Sequence, residues 1–390
     1  MAHSVTIAKS FELIPGRYPS EDSYSIYCCV AKRAISEWGL RPQDVDGLFV
    51  PPSGLAVNTE IDVFTHERLA EDLGIYPRVS ESVQAGGATY GVMIARAAAC
   101  IRDGQAESIL CVGAGKFPKV GAGGAEAMAK MVCHPEFEFP YGAYVPAIYA
   151  LAASQYMAEY SATHADLAAV AVSARQWALR NPRAVTYSRG AITVDDVLAS
   201  RPIATPFHLL DCSFPCEGGG AVLVTTAEMA RALGAPRAEL LGLGERHTHN
   251  AISQARSLLR SGAIDSAESA FARAGLGRDD IDMAQIYDAF SINPLLLLED
   301  TGFCDRGEAA AFVRSGAIAP GGALPLNTNG GLLSFGHVGD GSGLSVIIEA
   351  VRQVTGTAGA NQLDGIETAF VHTYGGMMAE HVSFILGRSE

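Results

Sequence analysis

A glycine-rich stretch around a single histidine is the strongest chemical signal in this sequence. Residues 324–343 read LPLNTNGGLLSFGHVGDGSG, and the titratable side chains among them are His337 and Asp340. Glycines let the backbone adopt conformations that other residues resist, and an imidazole can donate or accept a proton near neutral pH. The apolar residues that follow at helical spacing predict a helix whose free N–H groups can hold an anion or an oxyanion. Because GxxxxGK[ST] is absent and no GxGxxG follows a predicted strand, a nucleotide-binding loop is disfavoured.

The composition excludes several classes of function. The chain has 390 residues, nearly half of them hydrophobic, and a formal net charge of −14. This charge disfavours the binding of nucleic acid or of an anionic membrane over the whole surface, although a local basic patch for a phosphorylated group stays open. No run of about 18 apolar residues predicts a membrane span. The first residues lack the pattern of a signal peptide, so we expect a cytoplasmic protein.

The cysteines and the remaining histidines do not predict a metal site. The 8 cysteines are scattered without a CxxC pair, which disfavours a zinc ribbon or a disulfide framework and favours reduced thiols in the core. His247 and His249 are separated by one residue, but no third ligand is evident near them. We therefore expect that this chain binds no metal.

Two segments that lie far apart repeat one helix–turn–strand pattern. Residues 34–50 read AISEWGLRPQDVDGLFV and residues 270–286 read AFARAGLGRDDIDMAQI, and they match at one constant offset. A unit that recurs at such a distance indicates two similar halves. We place these halves at residues 1–235 and 236–390.

The elements between the two repeats predict an α/β protein. Residues 83–104 open with small residues and continue as an apolar helix, and the apolar run 108–113 is typical of a strand covered on both faces. Strand, glycine turn, helix and strand favour βαβ-type units around a mostly parallel sheet. Residues 121–200 break this alternation with a mostly helical pattern, and we expect them to form an inserted cap over the site.

Motifs spread along nearly the whole chain resemble those of the thiolase superfamily, in particular its sterol-carrier-protein-like branch. They are residues 83–104 at the nucleophile turn and helix, 206–212 with 218–224, 287–290 (YDAF) at the Asn-Glu-Ala-Phe motif, 324–339 at the Gly-His-Pro motif, and 372–376 at the Cys-x-Gly motif. Each motif alone is weak, but together and in this order they are specific for the fold. The resemblance implies a thiolase fold, in which two similar βαβ-type halves form a layered α-β-α-β-α core.

The departures from the family pattern decide the expected chemistry. Gly87 stands where the acyl-accepting cysteine of the family belongs, so a covalent thioester has no nucleophile from which to form. The Cys-x-Gly motif reads Thr373-Tyr374-Gly375, so the second cysteine, which is the family's acid/base, is absent as well. The histidine of the Gly-His-Pro motif is retained as His337.

This combination is similar to that of the thiolase-like steroid side-chain aldolases, which lack both cysteines and place a tyrosine where this chain has Tyr287. The resemblance implies retro-aldol cleavage of a β-hydroxyacyl-CoA, with a bulky, steroid side-chain-like acyl group, to a ketone or aldehyde plus acetyl-CoA or propionyl-CoA. Tyr287 would be the acid/base that takes the β-hydroxyl proton, and His337 would hold the thioester enolate in an oxyanion hole. A phenolate base needs a lowered pKa; otherwise the phenol relays a proton. The CoA thioester is the substrate, and we expect no further cofactor.

Other residues at the same motifs complete the predicted site. The side chains that we expect to act as acid/base or to line the pocket are those of His372, Tyr374 and Asp288. The glycines that we expect in the loops of the oxyanion hole are Gly336, Gly375 and Gly376. At Gly87 we expect the missing side chain to leave room for a bulky β-substituent.

Two other interpretations stay open. The chain is a 3-ketoacyl-CoA thiolase or acyltransferase if one of its cysteines acts as an unrecognised nucleophile, or it is a non-catalytic thiolase-like subunit that lends its shape to a partner. Duplicated halves and sparse charge predict at least a homodimer. The resemblance to the aldolases also implies a small OB-fold partner with a zinc ribbon, a module that this sequence does not contain.

Overall fold

The computed structural model describes residues 4–55, 61–117 and 124–389. Within these residues the strands are β1 (Val5–Glu12), β2 (Gly47–Phe49), β3 (Val79–Glu81), β4 (Ser108–Gly115), β5 (Pro202–Ala204), β6 (Phe207–His208), β7 (Gly218–Thr226), β8 (Arg237–His247), β9 (Met283–Ile286), β10 (Thr368–Gly375) and β11 (Glu380–Ser389). The α-helices are α1 (Ser23–Glu37), α2 (Thr65–Leu73), α3 (Thr89–Arg102), α4 (Gly124–Val132), α5 (Val145–Tyr160), α6 (His164–Ala178), α7 (Val194–Ala199), α8 (Ala227–Ala232), α9 (Ala263–Ala274), α10 (Ile292–Asp300), α11 (Ala309–Arg314), α12 (Gly331–Ser334) and α13 (Ser342–Thr355).

Most of the described strands form one mixed sheet in the order β3-β2-β4-β7-β1-β8-β11-β10-β9. β2 pairs in parallel with β3 and β4, and β9 pairs in parallel with β10, whereas the other neighbours are antiparallel. The expectation of a mostly parallel sheet is therefore wrong. A short turn joins β10 to β11 as a hairpin, and a connection of this length allows only an antiparallel pair.

The repeat predicted from the sequence is present in the structure. α1, a 3₁₀ turn at Pro42–Asp44 and β2 follow one another in the first half as α9, a 3₁₀ turn at Arg278–Asp280 and β9 do in the second. The strand orders mirror each other, with β2-β4-β7-β1 on one side and β9-β10-β11-β8 on the other. The halves join where β1 and β8 pair over a short antiparallel register. A domain boundary at residue 235 stays a prediction, and it falls between α8 and β8.

Two central helices, α3 and α13, lie between the halves. α13 packs against β7 and β1 of the first half and against β10 and β11 of the second, and α3 packs against α13, β4 and β10. Both helices are apolar and buried on nearly every side, as expected for helices enclosed in a core. α1 packs on β4 and β7, and α9 packs on β8 and β11, which makes the outer layers. The chain thus has the layered α-β-α-β-α arrangement that the resemblance implied.

The cap region contains α4, α5, α6 and α7, and residues 121–123 of the predicted cap lie outside the described residues. α5 packs against α10, and α6 packs against α11 and α12. The Thr186 hydroxyl, which follows α6, donates to the Ser334 carbonyl oxygen at 2.8 Å. The cap is therefore anchored to the glycine-rich stretch that carries His337.

Candidate active site

The loop between α12 and α13 holds His337 in place through its backbone. The His337 N–H donates to the Phe214 carbonyl oxygen at 2.7 Å, and the Cys216 N–H donates to the His337 carbonyl oxygen at 2.9 Å. Gly336 has a φ of 138°. A Cβ atom on this residue would also lie 2.6 Å from the Cys216 sulfur. Glycine is therefore required at Gly336, because the loop must pass close to residues 214–216 in order to present the imidazole.

Tyr287 and His337 are in direct contact. Tyr287 follows the last residue of β9, and its N–H donates to the His372 carbonyl oxygen on β10 at 3.0 Å. Its phenolic oxygen lies 3.0 Å from Nε2 of His337 and 3.1 Å from the Ser342 hydroxyl oxygen. The structure thus brings together the two residues that the sequence predicts to be catalytic, and adds a third hydroxyl.

Burial sets the protonation states of this pair. Burial raises the pKa of Tyr287 to about 12, although the hydrogen bond with Ser342 acts in the opposite direction. Burial also lowers the pKa of His337 to about 4. At neutral pH the pair is therefore a phenol beside a neutral imidazole. The neighbours do not lower the pKa of Tyr287 below its ordinary value, so of the two roles considered for this residue the proton relay fits and a standing phenolate does not.

The space at Gly87 is filled by Tyr287. A Cβ atom on Gly87 would lie 2.6 Å from Cζ of Tyr287 and 2.5 Å from the Tyr374 carbonyl oxygen. The expectation that Gly87 leaves room for a bulky β-substituent is therefore wrong, because the aromatic ring already occupies that volume. A cysteine at Gly87 and a tyrosine at Tyr287 exclude each other sterically.

Tyr374, on β10, lies beside Tyr287. The two rings meet edge to face with their centroids 5.0 Å apart. The Tyr374 hydroxyl is buried and makes no hydrogen bond of good geometry among the described residues, although the Tyr149 hydroxyl lies near it. Burial raises its pKa well above the ordinary value, with further contributions from the neighbouring tyrosines. A buried hydroxyl without a partner is costly, so a group that completes its hydrogen bonding would be stabilising here.

Gly375 and Gly376 form a contact between main chains. A Cβ atom on Gly375 would lie 1.6 Å from the Ala85 carbonyl oxygen, and one on Gly86 would lie 2.9 Å from the Gly376 nitrogen. Gly376 also has a φ of 59°, which side chains disfavour. The end of β10 is therefore pressed against the turn before α3, and the predicted role of these glycines in an oxyanion hole stays a prediction.

His372 belongs to a separate hydrogen-bond chain. Its Nε2 lies 3.2 Å from Nδ1 of His381, its Nδ1 lies 2.8 Å from the Ser383 hydroxyl, and His381 donates from Nε2 to the Met378 carbonyl oxygen at 2.9 Å. Burial lowers the pKa of both histidines, that of His381 to about 4. Neither imidazole is hydrogen-bonded to Tyr287 or His337, so a chemical role of His372 stays a prediction.

Asp288 ties the end of β9 to the glycine-rich stretch. Its carboxylate accepts the N–H of Leu332, in the first turn of α12, at 2.7 Å. Burial raises the pKa of Asp288 to about 7, against hydrogen bonds that favour the charged form. The carboxylate faces α12 rather than the Tyr287 hydroxyl, and its predicted part in the acid/base chemistry is untested.

Two further side chains at the site were not singled out as functional from the sequence. Ser342 was missed although it lies five residues after His337, because a serine at a helix start is usually only a capping residue. Tyr149 on α5 stacks on Phe290 with ring centroids 4.8 Å apart, and its ring lies 6.3 Å from that of Tyr374. Its contact depends on how the cap packs, which no local pattern reveals.

Four of the thiols in the described residues, those of Cys111, Cys212, Cys216 and Cys304, are poor nucleophiles. Burial raises the pKa of Cys212, Cys216 and Cys304 to about 12. Burial also raises the pKa of Cys111 far above its ordinary value. Because the thiolate is the reactive form, these cysteines are protonated and unreactive at neutral pH.

A basic cavity of about 270 Å³ lies between α5 and the segments 246–265 and 377–378. Its lining includes Met377, Met378 and Tyr149, and the Tyr149 ring lies 6.3 Å from that of Tyr374. The residues that supply the positive and titratable side chains are Arg246, Arg256, Arg260, His247 and His249. Arg246 forms an ion pair with Asp265 at 3.0 Å. Arg256 and Arg260 have no carboxylate partner among the described residues, so they are available to bind an anion.

His247 and His249 are engaged in other contacts. Nδ1 of His247 lies 2.9 Å from the Glu380 carboxylate, and Nε2 of His249 lies 3.1 Å from the Met377 carbonyl oxygen. In the described part of the chain, no group of three or more His, Cys, Asp or Glu side chains is arranged to hold a metal ion. None of the helices in the same part has the length and apolar character that a membrane crossing requires.

Comparison with known proteins identifies the family. The family model described as "Thiolase C-terminal domain-like" matches residues 244–388. An acetyl-CoA acetyltransferase of Methanothermobacter thermautotrophicus is 31% identical over 88% of this chain and 88% of its own length. The chain belongs to the thiolase superfamily.

Other relatives of this thiolase-superfamily enzyme are named as aldolase or lyase. A steroid side-chain-cleaving aldolase of Thermomonospora curvata is 35% identical over 85% of each chain. A 17-hydroxy-3-oxo-4-pregnene-20-carboxyl-CoA lyase of Mycobacterium tuberculosis is 32% identical over 87% of this chain and 88% of its own. The solved structure named Ltp2-ChsH2(DUF35) aldolase superposes with a TM-score of 0.85 and 32% identity, covering 99% of this chain and 98% of that one. The predicted resemblance and fold are confirmed.

Proposed function

We propose that this enzyme cleaves the Cα–Cβ bond of a bulky, steroid side-chain-like β-hydroxyacyl-CoA by a retro-aldol reaction, giving a ketone or aldehyde plus acetyl-CoA or propionyl-CoA. One observation carries the proposal. The Tyr287 phenol fills the volume that a nucleophilic side chain on Gly87 would need, and it touches His337. The site has therefore exchanged a covalent nucleophile for an acid/base pair, which suits carbon–carbon cleavage without an acyl-enzyme.

The reaction needs one group to accept the β-hydroxyl proton and another to stabilise the enolate that forms as the bond breaks. Tyr287 accepts that proton on its oxygen and passes its own proton to Nε2 of His337, so the phenol stays neutral overall. The resulting imidazolium lies beside the enolate, and the opposite charges stabilise each other in a site shielded from water. Nδ1 of His337 has no other partner among the described residues, so its N–H is available to the enolate oxygen.

Tyr374 is the second acid/base in this proposal. Its buried hydroxyl makes no hydrogen bond of good geometry among the described residues, and its ring lies against that of Tyr287. The enolate must be protonated at Cα before the shortened acyl-CoA leaves. A phenol whose pKa is raised by burial keeps its proton at neutral pH and can deliver it in this step. The proton that His337 gained then returns to the Tyr374 oxygen, so both groups are restored for the next turnover.

The basic cavity is the proposed site for the CoA part of the substrate. Arg256 and Arg260 supply positive charge without competing carboxylates among the described residues, and arginine binds phosphate oxygens well. The substrate in the name of the mycobacterial relative supports the proposed acyl class, since hydroxyl at carbon 17 and carboxyl-CoA at carbon 20 together make a β-hydroxy thioester.

A small partner and a homodimer belong to the same proposal. The structural neighbour is named as a complex with a DUF35 protein, which supports an OB-fold, zinc-ribbon partner for this chain. Among the described strands, β3 lies at one end of the sheet and has an unpaired edge. Phe64 and Tyr76, on either side of α2, are 60% and 95% exposed, which supports a self-association surface near that edge. The proposed cytoplasmic location fits the free thiols of all described cysteines.

The decisive experiment measures products. The enzyme, alone and with a DUF35-type partner, is incubated with a β-hydroxyacyl-CoA that carries a tertiary alcohol, and the products are quantified by mass spectrometry. We expect equal amounts of free ketone and shortened acyl-CoA. A covalent acyl adduct on a cysteine without ketone would instead support acyl transfer, as in the acetyltransferase relative. Absence of turnover in both arrangements would remove the aldolase proposal.

A further inference from the structure

Ser342 occupies a defined position beside the acid/base pair. It is the first residue of α13 and is only 2% exposed. Its hydroxyl oxygen lies 3.1 Å from the Tyr287 oxygen, and it donates to the Gly339 carbonyl oxygen at 2.9 Å. One hydroxyl proton thus has two acceptors within hydrogen-bond distance.

The position of this proton decides the direction of the neighbouring hydrogen bonds. In the first arrangement, the Ser342 hydroxyl donates a hydrogen bond to Gly339 and accepts one from the Tyr287 hydroxyl, and the Tyr287 oxygen accepts one from Nε2–H of His337. In the second arrangement, the Ser342 hydroxyl donates to the Tyr287 oxygen, and the Tyr287 hydroxyl donates to an unprotonated Nε2 of His337. A carbonyl oxygen can only accept, so these are the two arrangements in which Tyr287 is hydrogen-bonded to both Ser342 and His337 and each hydroxyl donates to one of the groups named here. Only the second allows a proton to pass from Tyr287 to His337.

We propose that Ser342 is a positioning residue whose hydroxyl donates to the Tyr287 oxygen, and not to the Gly339 carbonyl, while the β-hydroxyl proton is transferred. This inference rests on the proposed retro-aldol reaction. The step starts from the second arrangement, in which His337 carries its proton on Nδ1. The β-O–H bond breaks and its proton joins the Tyr287 oxygen, while the Tyr287 proton joins the unprotonated Nε2 of His337. The Cα–Cβ electron pair becomes the thioester enolate, and the carbinol carbon becomes a carbonyl. The Ser342 hydrogen bond to Tyr287 stabilises the negative charge that develops on the phenolic oxygen between the two transfers.

The residues around Ser342 hold its backbone in place but leave its O–H bond free to rotate between the two acceptors. A Cβ atom on Gly343 would lie 2.3 Å from the Gly87 carbonyl oxygen, so the start of α13 is held against the turn before α3. The Ser345 hydroxyl donates to the Ser342 carbonyl oxygen at 2.9 Å and holds the first turn from the other side. With the backbone fixed, rotation of the O–H bond is the available motion. The hydrogen bond with Ser342 also lowers the pKa of Tyr287 against the effect of burial, which is the expected direction.

The first test separates positioning from general damage. Ser342→Ala should lower kcat about tenfold and leave KM within about twofold, because the lost hydrogen bond strengthens only in the transition state. Ser342→Thr keeps the hydroxyl and should restore most of kcat. Ser345→Ala is the matched control, since it removes a serine hydrogen bond one turn away without touching Tyr287. Equal kcat values for Ser342→Ala and Ser345→Ala would overturn the proposal.

The second test needs no activity. With 3,5-difluorotyrosine in place of Tyr287, the phenol ionises closer to neutral pH and its absorbance can be titrated in the folded enzyme. Adding Ser342→Ala should raise its pKa by about one unit, whereas adding Ser345→Ala should not move it. An unchanged pKa with Ser342→Ala would overturn the role of Ser342 even if the enzyme is an aldolase. A raised pKa in an enzyme that releases no ketone would uphold the contact and reject the aldolase reaction.

Discussion

The starts of the two central helices meet at one site, yet they contribute to it in opposite ways. The turn before α3, residues 85–88, consists of alanine and glycine and offers backbone atoms but no functional side chain. The start of α13 carries Ser342 and follows the loop that presents His337. The halves have matching elements and mirrored strand orders, so the difference does not come from the scaffold.

This difference shows how a duplicated fold can change its chemistry without changing its architecture. The first half has a glycine at Gly87, and the Tyr287 ring of the second half fills the volume that a larger side chain there would need. The two features are linked sterically, because a larger side chain at Gly87 does not fit while the Tyr287 ring is present. The second half then carries the proposed proton transfers, and the first half supplies the surface that holds the phenol in place.

The largest effect that we expect comes from removing the phenolic hydroxyl. Tyr287→Phe should lower kcat at least about a hundredfold, because the β-hydroxyl proton loses its acceptor, while the fold persists. Tyr156→Phe is the matched control, since it removes another buried hydroxyl, one that donates to Glu299 at 2.5 Å and lies outside the site. Steady-state kinetics of both variants provide the measurement. Near-normal turnover of Tyr287→Phe would mean that the second half does not carry the chemistry.

The steric link between the halves can be measured as a coupling energy. Gly87→Ala should lower the free energy of unfolding by roughly 1–3 kcal/mol, because the new methyl group overlaps the Tyr287 ring and the Tyr374 carbonyl oxygen. In a Tyr287→Ala background the same substitution should cost less, since the ring is gone and the carbonyl remains. Urea unfolding of the four variants gives the coupling.

The control for this cycle is Gly16→Ala, because the nearest atom to a Cβ there is the Ile14 carbonyl oxygen at 4.0 Å. It should change stability little. Equal costs of Gly87→Ala in both backgrounds would show that Gly87 and Tyr287 are independent. Gly87→Cys should likewise destabilise the protein without forming an acyl-enzyme.

Acid should lower the free energy of unfolding, because the second half contains buried histidines that resist protonation. His381 is fully buried and its pKa is lowered from 6.5 to about 4, so the unfolded chain binds more protons than the folded one between these values. The stability contributed by the neutral imidazole is complete above pH 6.5 and is lost as the pH falls toward 4. From pH 7 to pH 5 the wild type should lose about 2 kcal/mol more than His381→Gln, as measured by urea unfolding. Equal losses would show that His381 does not resist protonation.

The smallest effect should come from the basic cavity. Arg256→Ala or Arg260→Ala should raise KM for the acyl-CoA roughly tenfold and leave kcat unchanged, because a phosphate contact binds substrate and transition state alike. Arg33→Ala, which removes an exposed arginine paired with Glu37 on α1, is the control and should have no effect. A change in kcat rather than KM would mean that the cavity serves another purpose.

The sequence predicted the fold and singled out Tyr287 and His337, which the structure brings into contact, because both follow from local patterns. The repeat at residues 34–50 and 270–286 gave the two halves, and the motif positions brought Tyr287 and His337 together. It could not predict that the Tyr287 ring fills the space at Gly87, since this depends on how the end of β9 meets a turn two hundred residues away. The arginines of the basic cavity follow no periodic pattern, and the antiparallel pairs follow from strand order, which hydrophobic runs do not encode.

The contact between Gly375 and the Ala85 carbonyl oxygen has a consequence for the precision of the catalytic geometry. No side chain separates the two halves at this point, so the distance between them is set by van der Waals contact of main-chain atoms and not by the choice among rotamers. Substitutions elsewhere in the core can repack without altering this spacing. This main-chain contact therefore fixes the distance between the two halves at the proposed reaction centre, and any methyl group inserted there would have to push the two halves apart.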